Sequence, residues 1–214
     1  MNAIQKVTAF HNRFKLPVIE KEAIPDHYRC KLRINLIKEE YYELILGVNN
    51  VDIVEVADAL CDMKYVILGS FLEFGIDFSS SAISYRNNGN LETMQENVLE
   101  LSKGIFQKNI GLVNHTLSKL LAGVNHIAYE YKLTPIFDEL FNEVHRSNMT
   151  KGGLTQKKAM EVLTEYEVKK GILCDIDEVK GKYFVNRLSD GKLMKPDTYS
   201  PPELKAIFVK HRLL

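Results

Sequence analysis

The chain has 214 residues, 45% of them hydrophobic and 26% charged, which is enough to build a packed core and argues against global disorder. Its 28 basic residues balance its 28 acidic ones, so net charge gives no reason to expect a nucleic-acid or anionic-membrane partner. Three distant cysteines without a Cys-x-x-Cys argue against a zinc site or a disulfide framework and fit a reducing compartment.

In chain order, Ile4, Val7, Phe10 and Phe14 mark a short amphipathic helix over 2–14, and Pro17 and Pro25 bracket an extended link. The first residues lack a long apolar core, and the most apolar stretch, 66–76, contains Glu73 and is too short to span a bilayer. A cytoplasmic protein is expected. Asp26 is the candidate N-cap of a helix running to about Leu46 and closed by Gly47. After a short turn over 47–50, Asp52 caps a second helix over about 53–74, ended by Gly75. Serines at 79–81 and the Asn/Gly run at 87–90 mark loops. Helical periodicity returns over 91–109 and 112–131, and Pro135 opens a further helix to about His145.

The tail differs in character. A short helix is expected over 155–169, and 172–194 alternates loosely around turns at Lys180-Gly181 and Asp190-Gly191, as in a β-hairpin. Pro196, Pro201 and Pro202 keep the chain extended before a last helical turn over 203–210. The expected fold class is all-α: a helical bundle with a small irregular or β-hairpin appendage near the C-terminus. The expected division is a helical core over 1–151 and an appendage over 152–214.

The chemistry lies in two acidic pairs, Glu40-x-x-Glu43 and Glu55-x-x-Asp58, separated by eleven residues. Glu39 precedes the first pair and Asp62 follows the second. Residues three or four apart share a helix face, so two antiparallel helices would bring both acidic stripes together. At an effective dielectric of about 20, two like charges 4 Å apart repel by about 4 kcal/mol, and hard divalent cations with oxygen ligands relieve that repulsion. Each acid also has an ordinary reading. Asp52-x-x-Glu55 fits a capping box, and Glu39 and Glu40 fit a solvated helix face. Asp58 and Asp62, one turn apart in a strongly apolar helix, are costlier to explain without a partner. A ferritin-like di-iron site would need Glu-x-x-His motifs, which are absent. The all-oxygen set instead favours magnesium, manganese or calcium.

The run Arg33-x-x-Leu36-Ile37-x-Glu39-Glu40-x-x-Glu43, followed by Glu55-x-x-Asp58-Ala59-Leu60-x-Asp62-x-x-Tyr65-Val66-x-x-Gly69, resembles the all-α nucleoside triphosphate pyrophosphohydrolase superfamily. The stretch Val144-His145-Arg146-Ser147-Asn148-Met149-Thr150-Lys151 is similar to its MazG-like, phosphoribosyl-ATP-pyrophosphohydrolase-like branch. So is the late Gly191-Lys192-x-x-Lys195-Pro196, with Tyr199 and Pro201-Pro202-x-Leu204. The chain departs from the pattern in its short acidic spacer and in apparent insertions over 77–115 and 152–190, which bear on substrate choice.

The resemblance implies Mg²⁺-dependent hydrolysis of a nucleoside triphosphate to the monophosphate and pyrophosphate, with Mn²⁺ as a possible substitute. It implies Glu40, Glu43, Glu55 and Asp58 as metal ligands, Glu39 as the base that activates water (a role exchangeable with Glu40), and Asp62 as a supporting acid behind the ligands. Arg33, Arg146, Asn148, Lys151, Lys192, Lys195 and Tyr199 are the candidate substrate-binding residues, with surface charge or helix-end compensation as the ordinary alternative. Phe71, Phe74, Phe78 and Tyr85, or His126 and Tyr129, are aromatic candidates for stacking a base, though such spacing also suits a core. No Walker-type phosphate loop occurs. The rival readings are a non-catalytic helical nucleotide-binding module and a purely structural bundle. The family's habit implies a homodimer or a dimer of dimers.

Overall fold

The computed structural model describes residues 1–78 and 90–214. The loop signals at 79–81 and 87–89, and Tyr85, lie outside the described residues. Within them the chain forms eight α-helices and one antiparallel hairpin: α1 Ala3–Arg13, α2 His27–Asn49, α3 Ile53–Glu73, α4 Leu91–Phe106, α5 Ile110–Glu130, α6 Phe137–Asn148, α7 Gln156–Lys170, β1 Cys174–Val179, β2 Lys182–Arg187 and α8 Leu204–Lys210. The expected all-α class with a small β-hairpin is therefore the observed one.

The helix starts follow capping chemistry. Asn2, Asp26, Asp52, Asn90, Asn109 and Thr155 each accept a hydrogen bond from a backbone N–H in the first turn of the helix that follows. Each such cap contributes about 1 kcal/mol. Pro135 begins a 3₁₀ turn, Thr134–Ile136, that leads into α6. At the hairpin tip Lys180 and Gly181 both adopt positive φ, the requirement of a two-residue turn that matches strand twist.

α3 organises the bundle. It packs against α1, α2, α5, α6 and α8, while α4 pairs with α5 and also touches α2. Leu60, Met63, Ile67, Leu68 and Phe71 of α3 are fully buried, each contributing roughly 1.5–3 kcal/mol of transfer free energy. Leu204, Ile207 and Phe208 of α8 join this same core. Between them, α7 and the hairpin enclose a separate small cluster of Leu154, Ala159, Val162, Cys174, Val185 and Met194.

One expected boundary is wrong. Gly47 does not end α2, which continues to Asn49, and the turn falls at 50–52. A Cβ on Gly47 would stand 2.9 Å from Val56 N. This glycine is therefore a point of close approach between α2 and α3, and the signal of a helix terminator was a signal of helix contact. That approach brings the two acidic stripes together.

Candidate active site

α2 and α3 run antiparallel with Glu39, Glu40 and Glu43 on one and Glu55, Asp58 and Asp62 on the other. A cavity of about 140 Å³ opens beside them, lined by Glu39, Glu40, Glu43 and Asp62. The end of α6 adds Asn148, the 3₁₀ turn Met149–Lys151 that follows adds Lys151, and the loop after β2 adds Lys192 and Lys195. Residues more than a hundred positions apart thus share one wall. The loop is held there by backbone bonds from Arg187 N to Lys192 O (2.9 Å) and from Met194 N to Val185 O (2.9 Å), and by Tyr166 Oη donating to Lys195 O (2.9 Å).

Burial and mutual repulsion push the acids toward protonation. Glu40 rises from the usual 4.5 to about 9, first through burial and then through the charges of Asp62, Glu43 and Glu39. Asp58 rises from 3.8 to about 7, again through burial first, then Asp62, Glu55 and Glu43. Glu43 and Asp62 shift upward for the same leading reason, with Lys195 and Lys192 opposing the shift in both. Asp62 is further held by Asn148 Nδ2, which donates to its Oδ1 at 3.4 Å, and by the charge of Lys151. Lys151 itself is shifted downward by burial, against the attraction of Asp62 and Glu40.

Two carboxylate oxygens, Glu40 Oε2 and Asp58 Oδ1, are buried with no hydrogen-bond partner. Such atoms are costly in a native structure, and a divalent cation satisfies them. Among the described residues no three acidic, histidine or cysteine side chains close into a ready-made metal cage. The donor set fits a hard cation in chemistry and in burial rather than in preformed geometry.

The remaining expected residues fall into distinct places. Glu39, at the exposed rim, accepts from Lys192 Nζ at 2.6 Å. Glu55 is exposed, and the capping-box reading does not hold for it. Asp52 N–H donates to Gly47 O (3.0 Å), leaving the Glu55 carboxylate out of the cap. Arg33 lines the cavity but is buried, with its Nε 3.3 Å from Glu73 Oε1.

Arg146 and Tyr199 are not brought to the cavity. The Arg146 guanidinium binds Glu143, Ser200 Oγ (3.0 Å) and Pro201 O (2.9 Å), and so straps the C-terminal segment to α6. Tyr199 Oη accepts from Ser147 Oγ at 2.9 Å, and its ring lies 4.8 Å beneath the Lys195 ammonium. Both act behind the cation wall. The aromatic candidates also resolve. Phe71 and Phe74 are core, Phe78 packs edge-on against Phe71, and His126 and Tyr129 line a separate cavity beside Lys64.

Sequence reasoning missed the inner end of the cavity. His11 and Tyr65 line it with Arg33, backed by the buried Glu73, which accepts from Arg29 Nε at 2.9 Å. His11 lies on the same helical face as Val7 and Phe14, so a histidine on an apolar stripe was the available signal. A Cβ on Gly69 would stand 2.6 Å from Arg33 Nη1 and 2.9 Å from His11 Nε2, so this glycine admits both groups against α3.

A family model described as phosphoribosyl-ATP pyrophosphohydrolase matches residues 7–82, which span α1 to α3 and every acid of the site. An uncharacterized protein of Acanthamoeba polyphaga mimivirus, L479, is 30% identical, with 80% of each chain covered. Residues 7–82 belong to the phosphoribosyl-ATP pyrophosphohydrolase family. That family sits within the MazG-like nucleoside triphosphate pyrophosphohydrolases, and the matched segment of this chain holds α2 and α3 whole. The cations of Lys151, Lys192 and Lys195 lie beyond the matched segment. No solved structure matches the chain. Among the described residues no helix is long and apolar enough to cross a membrane.

Proposed function

We propose that the protein hydrolyses a nucleoside triphosphate to the monophosphate and pyrophosphate with the help of Mg²⁺, or Mn²⁺ in its place. The observation that carries this reading is the pair of buried carboxylate oxygens without hydrogen-bond partners, one on Glu40, which lines a cavity walled by Lys151, Lys192 and Lys195, and one on Asp58 of the facing helix. Glu40, Glu43, Glu55 and Asp58 would hold the cation, with Asp62 supporting them. Bound there, the cation offsets phosphate charge and makes water easier to deprotonate.

The protein's own groups supply the rest. Lys192 and Lys195 grip phosphate oxygens as charge develops on them, and Asn148 and Lys151 hold Asp62 and the adjoining phosphate edge. When triphosphate draws Lys192 toward itself, Glu39 loses its ion-pair partner and becomes free to accept a proton. Water attacks the α-phosphorus, its proton passes to Glu39, and pyrophosphate departs. Assembly as a homodimer or dimer of dimers belongs to the same reading, supported by exposed apolar side chains on two packed helices, Tyr42 and Leu46 of α2 and Leu99 and Phe106 of α4. So does a cytoplasmic location, where nucleotides are abundant.

The test is a pyrophosphate-release screen over canonical and modified nucleotides with Mg²⁺ and Mn²⁺. Turnover that disappears in Glu43→Ala and Asp58→Ala is expected. Tight nucleotide binding with no turnover of any substrate would instead select the non-catalytic nucleotide-binding module.

A further inference from the structure

The inner end of the cavity is built differently from its acidic mouth. His11 is 1% exposed and Arg33 is 5% exposed, and both line the cavity with the apolar side chains of Phe10, Leu32 and Leu36. His11 Nδ1 lies 2.9 Å from Pro17 O, an acceptor, so this nitrogen carries the proton and Nε2 presents a lone pair. The ring is neutral at physiological pH, because burial first and then the Arg33 charge lower it from 6.5 to about 4. Among the described residues Nε2 makes no hydrogen bond.

Arg33 is the complementary half. Its guanidinium makes no hydrogen bond among the described residues, and its buried Nε has only the ion-pair approach of Glu73. Glu73 approaches it at 3.3 Å but is already engaged by Arg29 through two bonds. The chamber therefore offers one acceptor and several donors. Tyr65 Oη, which also lines the cavity, is engaged with His145 Nδ1 at 3.0 Å. An anion does not suit it, since the Nε2 lone pair would face negative charge in an apolar setting.

We infer that this chamber selects the base of the nucleotide and takes a single-ring keto base of the uracil or thymine type. The inference rests on the nucleotide reading of the site above. Hydrogen-bond satisfaction selects this class. Uracil and thymine present one ring N–H between two carbonyls, which suits one acceptor, His11 Nε2, and the donors of Arg33. Cytosine and adenine carry an amino group with two N–H donors, and guanine adds a ring N–H to its amino group. Each would leave a donor unpaired against the apolar wall.

The experiment uses the full chain and two readouts. The first is kcat/KM for pyrophosphate release from dUTP, UTP, dTTP, dCTP, dATP and dGTP. The second is the thermal shift given by the α,β-imido analogues of dUTP and dCTP with Ca²⁺, which reads base selection without turnover. At least a tenfold preference for the keto pyrimidines is expected. His11→Leu should lower their kcat/KM by roughly tenfold to a hundredfold with little effect on the others, as loss of a buried acceptor does. His11→Gln, which restores an acceptor at that reach, should recover part of the preference. If His11→Leu does not fold, the wild-type panel and His11→Gln decide. A larger thermal shift with the dUTP analogue but no hydrolysis would uphold the inference while the hydrolase reading fails. Hydrolysis with equal or better use of cytosine or purine nucleotides, or a preference unchanged in both variants, would overturn the inference and leave the hydrolase reading standing. No shift and no turnover with any nucleotide would overturn both.

Discussion

Glu40→Gln should make the protein more stable at neutral pH when divalent cations are withheld. The wild-type carboxyl is raised from 4.5 to about 9, mainly by burial and then by Asp62, Glu43 and Glu39. Because the folded value lies above the unfolded one, the folded chain binds more protons across that window. Its stability is greatest below the unfolded value and falls as pH rises, the reverse of a salt-bridged carboxylate. The slope is at most about 1.4 kcal/mol per pH unit, so at pH 7.5, about three units into the window, the ceiling is about 4 kcal/mol. Gln keeps the shape and still buries polar atoms, so a net gain of about 2 kcal/mol is expected, or roughly 4–8 °C in Tm for a chain of this length. Thermal unfolding followed by circular dichroism in EDTA at pH 5.5 and 7.5 measures it. The two proteins should differ little at pH 5.5 and clearly at pH 7.5. Adding Mg²⁺ should raise the wild-type Tm and leave the variant nearly unmoved. If the variant melts below the wild type at pH 7.5 in EDTA, or keeps the wild-type pH slope, the assignment of Glu40 as a strained buried acid is wrong.

Asp58→Asn should remove the second unpartnered buried oxygen and cut pyrophosphate release by a hundredfold or more (roughly 2.7 kcal/mol or more) while leaving circular dichroism unchanged, and near-normal kcat would count against a metal-ligand role. Lys192→Ala breaks an ion pair at the exposed rim, which contributes only about 0–1 kcal/mol to stability, so Tm should hold while KM for the triphosphate rises severalfold. Gly69→Ala places a methyl 2.6 Å from Arg33 Nη1 and 2.9 Å from the buried His11 ring. A destabilisation of about 1–3 kcal/mol in urea unfolding is expected, and a silent substitution would show that the inner chamber is looser than drawn. Arg146→Ala removes the clamp on Ser200 and Pro201, so limited proteolysis should cut near residue 200 sooner than in the wild type.

The acids and the helices were legible in the sequence because both obey local rules. Asp26 and Asp52 cap the helices they were expected to cap, and Glu40, Glu43, Asp58 and Asp62 repeat at the spacing that shares a face. Gly47 misled because the same residue type serves two ends: it terminates a helix, or it lets another backbone come within 2.9 Å. Arg146 and Tyr199 stood in the right segments, yet sequence cannot say which way a side chain leaves its helix or loop. In the fold they bind Glu143, Ser147, the Ser200 hydroxyl and the Pro201 carbonyl, while their neighbours Asn148 and Lys195 reach the cavity.

The sequence by itself determined the helical class, the hairpin with its Lys180-Gly181 turn, and a carboxylate cluster that electrostatics makes costly without a cation. Those follow from periodicity, capping and Coulomb repulsion, which need only near neighbours along the chain. The tertiary structure alone decided that Lys192 and Lys195, far along the chain from α2, face those acids across a cavity. It also decided that His11 and Arg33 meet over Gly69 at the inner end, and that Glu40 rather than Glu39 is the buried acid. Burial and long-range approach set those outcomes, and neither is encoded in the spacing of any single segment.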